Sequence, residues 1–238
     1  MRLGLEVVTG SLYDALERAQ VAGRSHSAAA LESTSSLAHS PHLTQLLRSL
    51  IDDTEAAERC ANWSYLHPLG FHKLMLVNAA PLFDLRLHVW WPDSQPGVDH
   101  IHNHRFALAS AIVRGGYNMQ LFQADPDGAP MMEYREMISP DGGWNLTPVG
   151  PAGLRQLTSV NLGPGASYGL ATSALHRVDV VPGSLCVTLV LRTTHAADLA
   201  TRVFARPGQA VSRSIPAREM SRNSYRRQLA ALVGELTS

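Results

Sequence analysis

The feature that most constrains the fold is a series of short alternating segments that begins at about Gly70 and is interrupted by turn signals. The segments are rich in β-branched residues or alternate apolar with polar ones: KLMLV, LRLHVWW, ALASAIV, YNMQLF, LTSVNL, HRVDVV and SLCVTLVLR. Clusters of glycine, proline and aspartate that favour turns stand between them: Pro92-Asp93, Gly115-Gly116, Asp125-Pro126-Asp127-Gly128, Pro140-Asp141-Gly142-Gly143, Gly163-Pro164-Gly165 and Pro182-Gly183. Seven such segments over about 130 residues predict an antiparallel sandwich or barrel.

Both flanks of this region carry helical patterns. Before it, apolar residues recur at helical spacing over three turns: Leu43, Leu46, Leu47, Leu50 and Ile51. The stretch from Gly23 to Ser40 is rich in serine, alanine and threonine and predicts a loop or a weak helix. After the strands, residues Tyr225 to Leu236 predict a closing helix. We therefore expect a mostly-β chain with N-terminal helices and a C-terminal helix.

Length and composition are compatible with one barrel and its extensions. The 238 residues are 45% hydrophobic, enough to bury a sizeable core. We expect a helical cap over residues 1–65, a barrel domain over 66–205, and a tail and helix over 206–238. Nothing in the sequence beyond the patterns above sets these boundaries.

Charge and cysteine content exclude several classes of partner. The formal net charge is zero, so no strong field attracts nucleic acid or an anionic membrane. Cys60 and Cys186 are too few for a disulfide framework, which fits a reducing compartment. No apolar run is long enough to cross a bilayer, and the first residues lack a signal-peptide core. We expect a cytoplasmic protein that binds neither nucleic acid nor membrane. A homo-oligomer is compatible with the sequence.

Histidines at alternate positions predict a metal site. In Ile101-His102-Asn103-His104 the two imidazoles share a strand face, and Leu175-His176-Arg177-Val178 offers a third histidine. Three neutral imidazoles suit Fe, Cu, Ni or Zn and leave coordination positions open. Two alternatives remain: these histidines form only the polar face of a strand, or His100 pairs with His102 as ligand.

These blocks resemble the cysteine dioxygenase (thiol dioxygenase) family of the cupin superfamily. Its Ile-His-Asp-His block is similar to residues 101–104, and its Leu-His-Arg-Val-Glu-Asn block to residues 175–180. Upstream, Phe71-His72-Lys73-Leu74 and Leu87-His88-Val89-Trp90 stand at about the spacing of the family's arginine strand and Cys-Trp strand. The segment His104 to Ser110 lacks the carboxylate of the usual cupin, which favours the three-histidine branch. The resemblance implies a cupin-type jelly-roll β-barrel.

Carried over residue by residue, the resemblance implies a set of site residues. His102, His104 and His176 would be the metal ligands, with Fe(II) as the metal and Zn, Ni or Cu as alternatives. Lys73, the only lysine of the chain, would replace the arginine that binds the substrate carboxylate, and Trp90 would be a wall of the pocket.

The chain also departs from the family. The cysteine that can crosslink to a tyrosine would fall near Leu108 or Ala109, and Val190 and Arg192 stand where the family has a histidine and the active-site tyrosine. Cysteine is therefore not assigned as the substrate.

Strand parity adds three residues to the candidate pocket. If Trp90 faces the barrel interior, His88 and Arg86 do so as well. The alternative is that this face points outward and that Leu85, Leu87 and Val89 pack the core. The resemblance favours the polar set, and Arg192 on a later strand would offer a bidentate fork for a carboxylate. Its alternative is a strand-end residue that reaches solvent.

The function implied is a non-heme Fe(II)-dependent oxygenase that acts with dioxygen on a small carboxylate-bearing substrate, amino acid-like or a thiol. No catalytic residue beyond the metal centre is assigned. One alternative is a non-oxidative metal-dependent cupin: an isomerase, hydrolase or lyase. A weaker alternative is a small-ligand-binding cupin without turnover.

Overall fold

The computed structural model describes residues 3–94, 100–138, 143–195, 200–209, 211, 214–215 and 220–237. The helices within these ranges are α1 (Leu3–Val21), α2 (His26–Ala38), α3 (Pro41–Asp52), α4 (Thr54–Ala61) and α5 (Arg222–Thr237). The strands are β1 (Tyr65–Leu66), β2 (His72–Ala79), β3 (Phe83–Trp90), β4 (Ile101–His102), β5 (Phe106–Arg114), β6 (Tyr117–Ile138), β7 (Trp144–Leu162), β8 (Ser167–Leu170), β9 (Leu175–Val180), β10 (Cys186–His195), β11 (Thr201–Ala205) and β12 (Ser214–Ile215).

The strands form two antiparallel six-stranded sheets. One has the order β1-β2-β3-β10-β5-β8 and the other the order β11-β4-β9-β6-β7-β12. Eight central strands pair as β3 with β10, β4 with β9, β5 with β8 and β6 with β7. Strands β3 to β6 therefore pair in reverse order with β7 to β10, as in one long folded hairpin. Successive pairs alternate between the two sheets, and this topology is a jelly roll. The predicted mostly-β jelly roll with N-terminal helices and a C-terminal helix is confirmed.

Helices cover the outer face of the first sheet and explain the composition of β3. Leu85, Leu87 and Val89 lie in the core shared with the helices. Arg86 and Trp90 are also buried, on the opposite face of the same strand. Because both faces of β3 are covered, the polar face points into the barrel, and Leu85, Leu87 and Val89 pack against the helices on the other side.

α3 shows why a helix forms beside this sheet. Ser40 precedes it and accepts a hydrogen bond from the His42 backbone N–H, while Pro41 occupies the first turn. Leu43, Leu46, Leu47 and Leu50 are fully buried on one face.

The second sheet closes on itself at one end. β11 pairs with β4 on one side and with the C-terminal half of β6 on the other. Val203 of β11 therefore lies opposite both His102 and Tyr134. A small apolar core fills this closure: Ile101, Met131, Leu154, Leu175 and Phe204. The short strand β4 is thereby held between β9 and β11.

One of the predicted turns is not a turn in the structure. Asp125-Pro126-Asp127-Gly128 is a bulge inside β6, because Ala124 and Ala129 both lie opposite Leu154. The predicted turn from Pro140 to Gly143 lies outside the described residues except for Gly143. Within the described residues, no helix is both long enough and apolar enough to cross a membrane.

Candidate metal centre and its cationic wall

Three histidines converge inside the jelly roll. His102 ends β4 and is paired directly with His176 of β9, while His104 follows two residues later. One ring nitrogen of each residue lies within 4.8 Å of the other two. The ring centroids are 4.6–4.9 Å apart. His100 is outside this group, although it belongs to the same alternating run.

Backbone carbonyls orient two of the three rings. Nδ1 of His102 lies 2.8 Å from the His100 carbonyl oxygen, and Nδ1 of His176 lies 3.2 Å from that of Ala174. A carbonyl oxygen only accepts, so Nδ1 carries the proton and Nε2 remains as the ligand atom. His100 thus contributes its backbone, rather than its ring, to the site.

Asn103 fixes the backbone between the two alternating histidines. It is buried, its side-chain amide donates to the Thr172 carbonyl oxygen over 3.0 Å, and its Oδ1 accepts from the Arg202 N–H over 2.6 Å. These contacts tie the segment after β4 to the start of β11 and to the turn before β9. The sequence showed Asn103 only as a spacer.

Burial keeps the ligands in the form that binds a metal. It lowers the pKa of His176 to about 3 and the pKa of His104 well below its usual value. The imidazoles of His104 and His176 are therefore neutral at ordinary pH. Three imidazole nitrogen donors that converge in this way fit a divalent iron, copper, nickel or zinc ion.

A cationic wall stands beside the histidines on the first sheet. Lys73 of β2 and Arg86 of β3 are buried, and Arg192 of β10 is partly buried. Lys73 Nζ lies 4.4 Å from the centre of the Tyr65 ring. Burial, followed by the charge of Arg86, lowers the pKa of Lys73 well below its usual value. Within the described residues Lys73 makes neither a hydrogen bond nor an ion pair.

One buried carboxylate, Asp84, balances part of this charge. Arg192 Nε donates to its Oδ2 over 2.5 Å, and Arg86 Nε lies 3.1 Å from its Oδ1. The Arg86 contact is close but misaligned for a hydrogen bond. Arg86 Nε and Nη2 therefore have no aligned acceptor among the described residues. Asp84 shares the inward parity of Arg86, but nothing in the sequence marks it as the partner of two arginines on different strands.

Phe106 connects the wall to the histidines. Its ring stacks on His104 with centroids 4.8 Å apart and an interplanar angle of 13°. The guanidinium carbons of Arg192 and Arg86 lie 4.6 and 5.4 Å from the centre of the same ring. The cations and the candidate metal ligands thus share one interior space.

Aromatic rings line the next part of the interior. Phe71 packs on Trp90 with ring centroids 4.8 Å apart and on His88 with centroids 4.4 Å apart. Burial lowers the pKa of His88 well below its usual value. The predicted residues Arg86, His88 and Trp90 therefore all face the barrel interior.

His67, in the turn after β1, was missed by the sequence analysis. Its ring stacks on Phe71 at 4.3 Å, and its Nδ1 accepts from the Leu69 N–H over 3.2 Å. Burial lowers its pKa to about 3, and nearby positive charge from His102 and Lys73 contributes. Because Nδ1 accepts, Nε2 carries the proton. Turn residues have no periodic pattern that could have indicated this position.

Glu136 of β6 is a second residue that the sequence did not reveal. It is partly buried, and desolvation raises its pKa while the charges of His102 and Arg105 lower it. The net shift is upward, so this carboxyl holds a proton more readily than an exposed one.

The sequence matches no protein-family model and no curated protein. Among solved structures, the chain is similar to an RmlC-like cupin from Shewanella frigidimarina NCIMB 400, with 13% identity over 57% of this chain and 86% of that one and a TM-score of 0.34. It is similar to the DMSP lyase DddQ from Ruegeria pomeroyi DSS-3 at 12% identity, over 55% and 50% of the two chains, with a TM-score of 0.32.

It is also similar to oxalate decarboxylase from Bacillus subtilis at 11% identity, over 58% and 28% of the chains, with a TM-score of 0.35. The matched region spans about half the length of the DMSP lyases. At this level of similarity the comparisons assign no activity, and the resemblance to thiol dioxygenases stays a prediction.

Proposed function

We propose that the chain is a non-heme Fe(II)-dependent oxygenase that acts with dioxygen on a small carboxylate-bearing substrate, amino acid-like or a thiol. The observation that carries the proposal is the shared interior of the barrel, where a three-histidine group faces buried cations across Phe106. A bound metal would supply open coordination positions at which substrate and dioxygen meet.

The cations would bind the anionic end of the substrate. Arg86 Nε and Nη2 are buried without an aligned acceptor, and Lys73 is a buried residue that makes no ion pair in the described part of the chain. Buried polar groups of this kind cost free energy until a ligand satisfies them. A carboxylate placed between Arg86 and Lys73 would do so and would raise the pKa of Lys73.

The remaining interior residues would position the substrate and exclude water. Asp84 holds Arg192, so Arg86 and Lys73 are the cations with donors left to offer. His67 presents a proton on Nε2, because Leu69 occupies its Nδ1. Phe71 and Trp90 close the apolar side and lower the local dielectric, which strengthens each charge contact.

A second candidate is a non-oxidative lyase, isomerase or hydrolase. Glu136 favours it, because its pKa is raised by desolvation and it lies within electrostatic influence of His102, so it can give or take a proton at a higher pH than an exposed carboxyl. A metal would then serve as a Lewis acid.

The experiment that tests the proposal is elemental analysis of anaerobically purified protein, together with the variants His102→Ala and His176→Ala. His42→Ala, an exposed histidine on α3, is the matched control. We expect stoichiometric iron in the wild type and in the control, lost from both ligand variants. Oxygen-electrode assays with amino acids and thiols should then show substrate-dependent oxygen uptake.

Three outcomes separate the candidates. Stoichiometric zinc or nickel with turnover in the absence of oxygen supports the non-oxidative reaction. Iron with oxygen uptake supports the oxygenase. Wild type that takes up no metal, while both ligand variants keep the fold, contradicts both enzymes.

A further inference from the structure

The C-terminal half of β7 is an unusually exposed sheet edge. Residues 155–161 are seven consecutive exposed residues. One edge of this segment pairs with β6, and within the described residues no strand pairs with the other edge. β12 covers only Asn145 and Trp144, at the opposite end of the strand.

The two halves of β7 differ in how the edge is protected. The first half carries Pro148 and Pro151, and β12 pairs with its beginning. Prolines, charges and covering strands are the usual means by which proteins keep sheet edges from pairing. The second half has no proline, and its single charged residue, Arg155, is ion-paired with Asp125 of β6. It carries one bulge at Leu157, because Gln156 and Thr158 lie opposite the consecutive residues Phe122 and Leu121.

Apolar side chains are exposed along the same unprotected segment. Leu157 is 56% and Val160 39% exposed to solvent. No charged residue stands between Gln156 and Leu175. An edge that is long, carries only one charged residue and is partly apolar is a template for strand addition.

We propose that residues 155–161 of β7 pair antiparallel with the same residues of a second copy of this chain and join the two barrels through one continuous sheet. The two-fold axis passes near Thr158. The segment is about 24 Å long at the usual rise of a strand. Pairing it with itself gives outward-pointing backbone groups of both edges hydrogen-bond partners by symmetry, with the bulge at Leu157 of the two copies on opposite sides of the axis.

Charge favours a second copy in this register. An axis at Thr158 places Arg155 of each copy opposite Asn161 of the other, so no like charges face each other. The same pairing covers Leu157, which lies next to the axis. Residues 156–161 have no charged side chain that could give specificity for a strand of another protein. Self-pairing does not require such a charge.

Sedimentation velocity over a range of concentrations tests the proposal with the variant Leu157→Lys. The matched control is Val21→Lys at the end of α1, an equally apolar position that is 85% exposed and lies in the helical layer. We expect the wild type and the control to sediment as dimers of the 25.8 kDa chain. Two lysines near the axis should weaken dimerisation of Leu157→Lys at least tenfold. A monomeric wild type, or a dimer that Leu157→Lys leaves unchanged, overturns the proposal.

A disulfide crosslink gives a second test, which detects the proposed dimer directly rather than through a loss of dimerisation. Thr158→Cys places one thiol of each copy beside the axis, and the native Cys60 and Cys186 are buried. Mild oxidation should convert Thr158→Cys to a covalent dimer on non-reducing gels and leave Val21→Cys monomeric. Equal crosslinking of both variants, or none in Thr158→Cys, contradicts the pairing. Metal content and turnover play no part in either readout.

Discussion

At the scale of single residues, Asp84 holds two arginines that would otherwise repel each other. It is 2% exposed and lies against Arg86 and Arg192 inside the barrel. Removing one partner from a buried ionic group is costly because the remaining charge stays desolvated. The stability of the fold therefore depends on a residue that we do not place in contact with substrate.

We expect Asp84→Asn to lower the free energy of unfolding by about 3 kcal/mol, because Arg86 loses the one carboxylate that lies within ion-pair distance of it among the described residues. Urea denaturation measures the change. The control is Asp14→Asn, which removes a carboxylate that is also paired with an arginine but lies at the surface. Asp14 and Arg18 are 65% and 73% exposed, and their charged groups are 3.9 Å apart. That control should cost less than about 0.5 kcal/mol. Equal losses in the two variants would show that Asp84 is not electrostatically important.

Part of this interior could be predicted from alternation along single strands. The convergence of His102, His104 and His176 followed from two alternating positions and one strand partner. Alternation along β3 left two answers, because it cannot show that helices cover the face opposite the barrel. Arg192 was expected to offer its fork to a ligand, and in the structure that fork already binds Asp84. Such pairings between distant strands are set by register, which one sequence does not reveal.

At the scale of elements, α2 shows how packing outweighs weak local preference. The stretch from Gly23 to Ser40 predicted a loop or a weak helix, because serine and threonine favour competing side-chain hydrogen bonds. In the structure α2 is a full helix, capped by Ser25 and packed against β5 and β10. Thr34 is buried and donates to the Ala30 carbonyl oxygen over 2.7 Å, so its hydroxyl is satisfied within the helix.

The bulge in β6 has a similar cause. Asp125-Pro126-Asp127-Gly128 has the composition of a hairpin turn, yet β6 continues beyond it. A β-carbon on Gly153 of β7 would lie 2.1 Å from the Asp125 carbonyl oxygen, so the two strands meet closely only because this position is glycine. The long partner strand keeps β6 extended through a turn-like sequence.

The C-terminal helix α5 is anchored by Tyr225. This side chain is fully buried, and its hydroxyl donates to the Met75 carbonyl oxygen of β2 over 2.6 Å. We expect Tyr225→Phe to lower the free energy of unfolding by about 1–2 kcal/mol, because the Met75 carbonyl loses a donor in a dry environment. Urea denaturation again measures the change.

Tyr13→Phe is the control for this helix contact. Tyr13 packs edge-on against Phe83 and is partly exposed, and its hydroxyl makes no hydrogen bond within the described residues. The substitution should be close to neutral. If the two variants lose equal stability, the Tyr225 hydroxyl does not anchor α5.

At the scale of the whole molecule, buried neutral histidines make the metal-free protein sensitive to acid. Burial lowers the pKa of both His67 and His176 to about 3, whereas an unfolded chain titrates near the ordinary histidine value. The unfolded state therefore binds more protons as pH falls from about 6.5 toward 3. The contribution of these histidines to the free energy of unfolding is complete above about pH 6.5 and is lost as the pH falls toward 3.

We expect the free energy of unfolding of metal-free protein to fall by about 2 kcal/mol for each of these two histidines between pH 7 and pH 5. Urea titrations at the two pH values measure the loss. His67→Asn keeps an acceptor for the Leu69 N–H and should remove the contribution of His67, about 2 kcal/mol of the loss between pH 7 and pH 5. An unchanged pH dependence in that variant would assign the acid sensitivity to other groups.

The nested order of strand pairs also sets when the metal site can exist during folding. Its ligands come from β4, the residues just after it, and β9, and the strand pairs β5 with β8 and β6 with β7 lie between them along the chain. Closing such a long loop is slow compared with forming local helices. We therefore expect the ion to be captured late by an almost complete barrel, so that metal slows unfolding more than it accelerates folding.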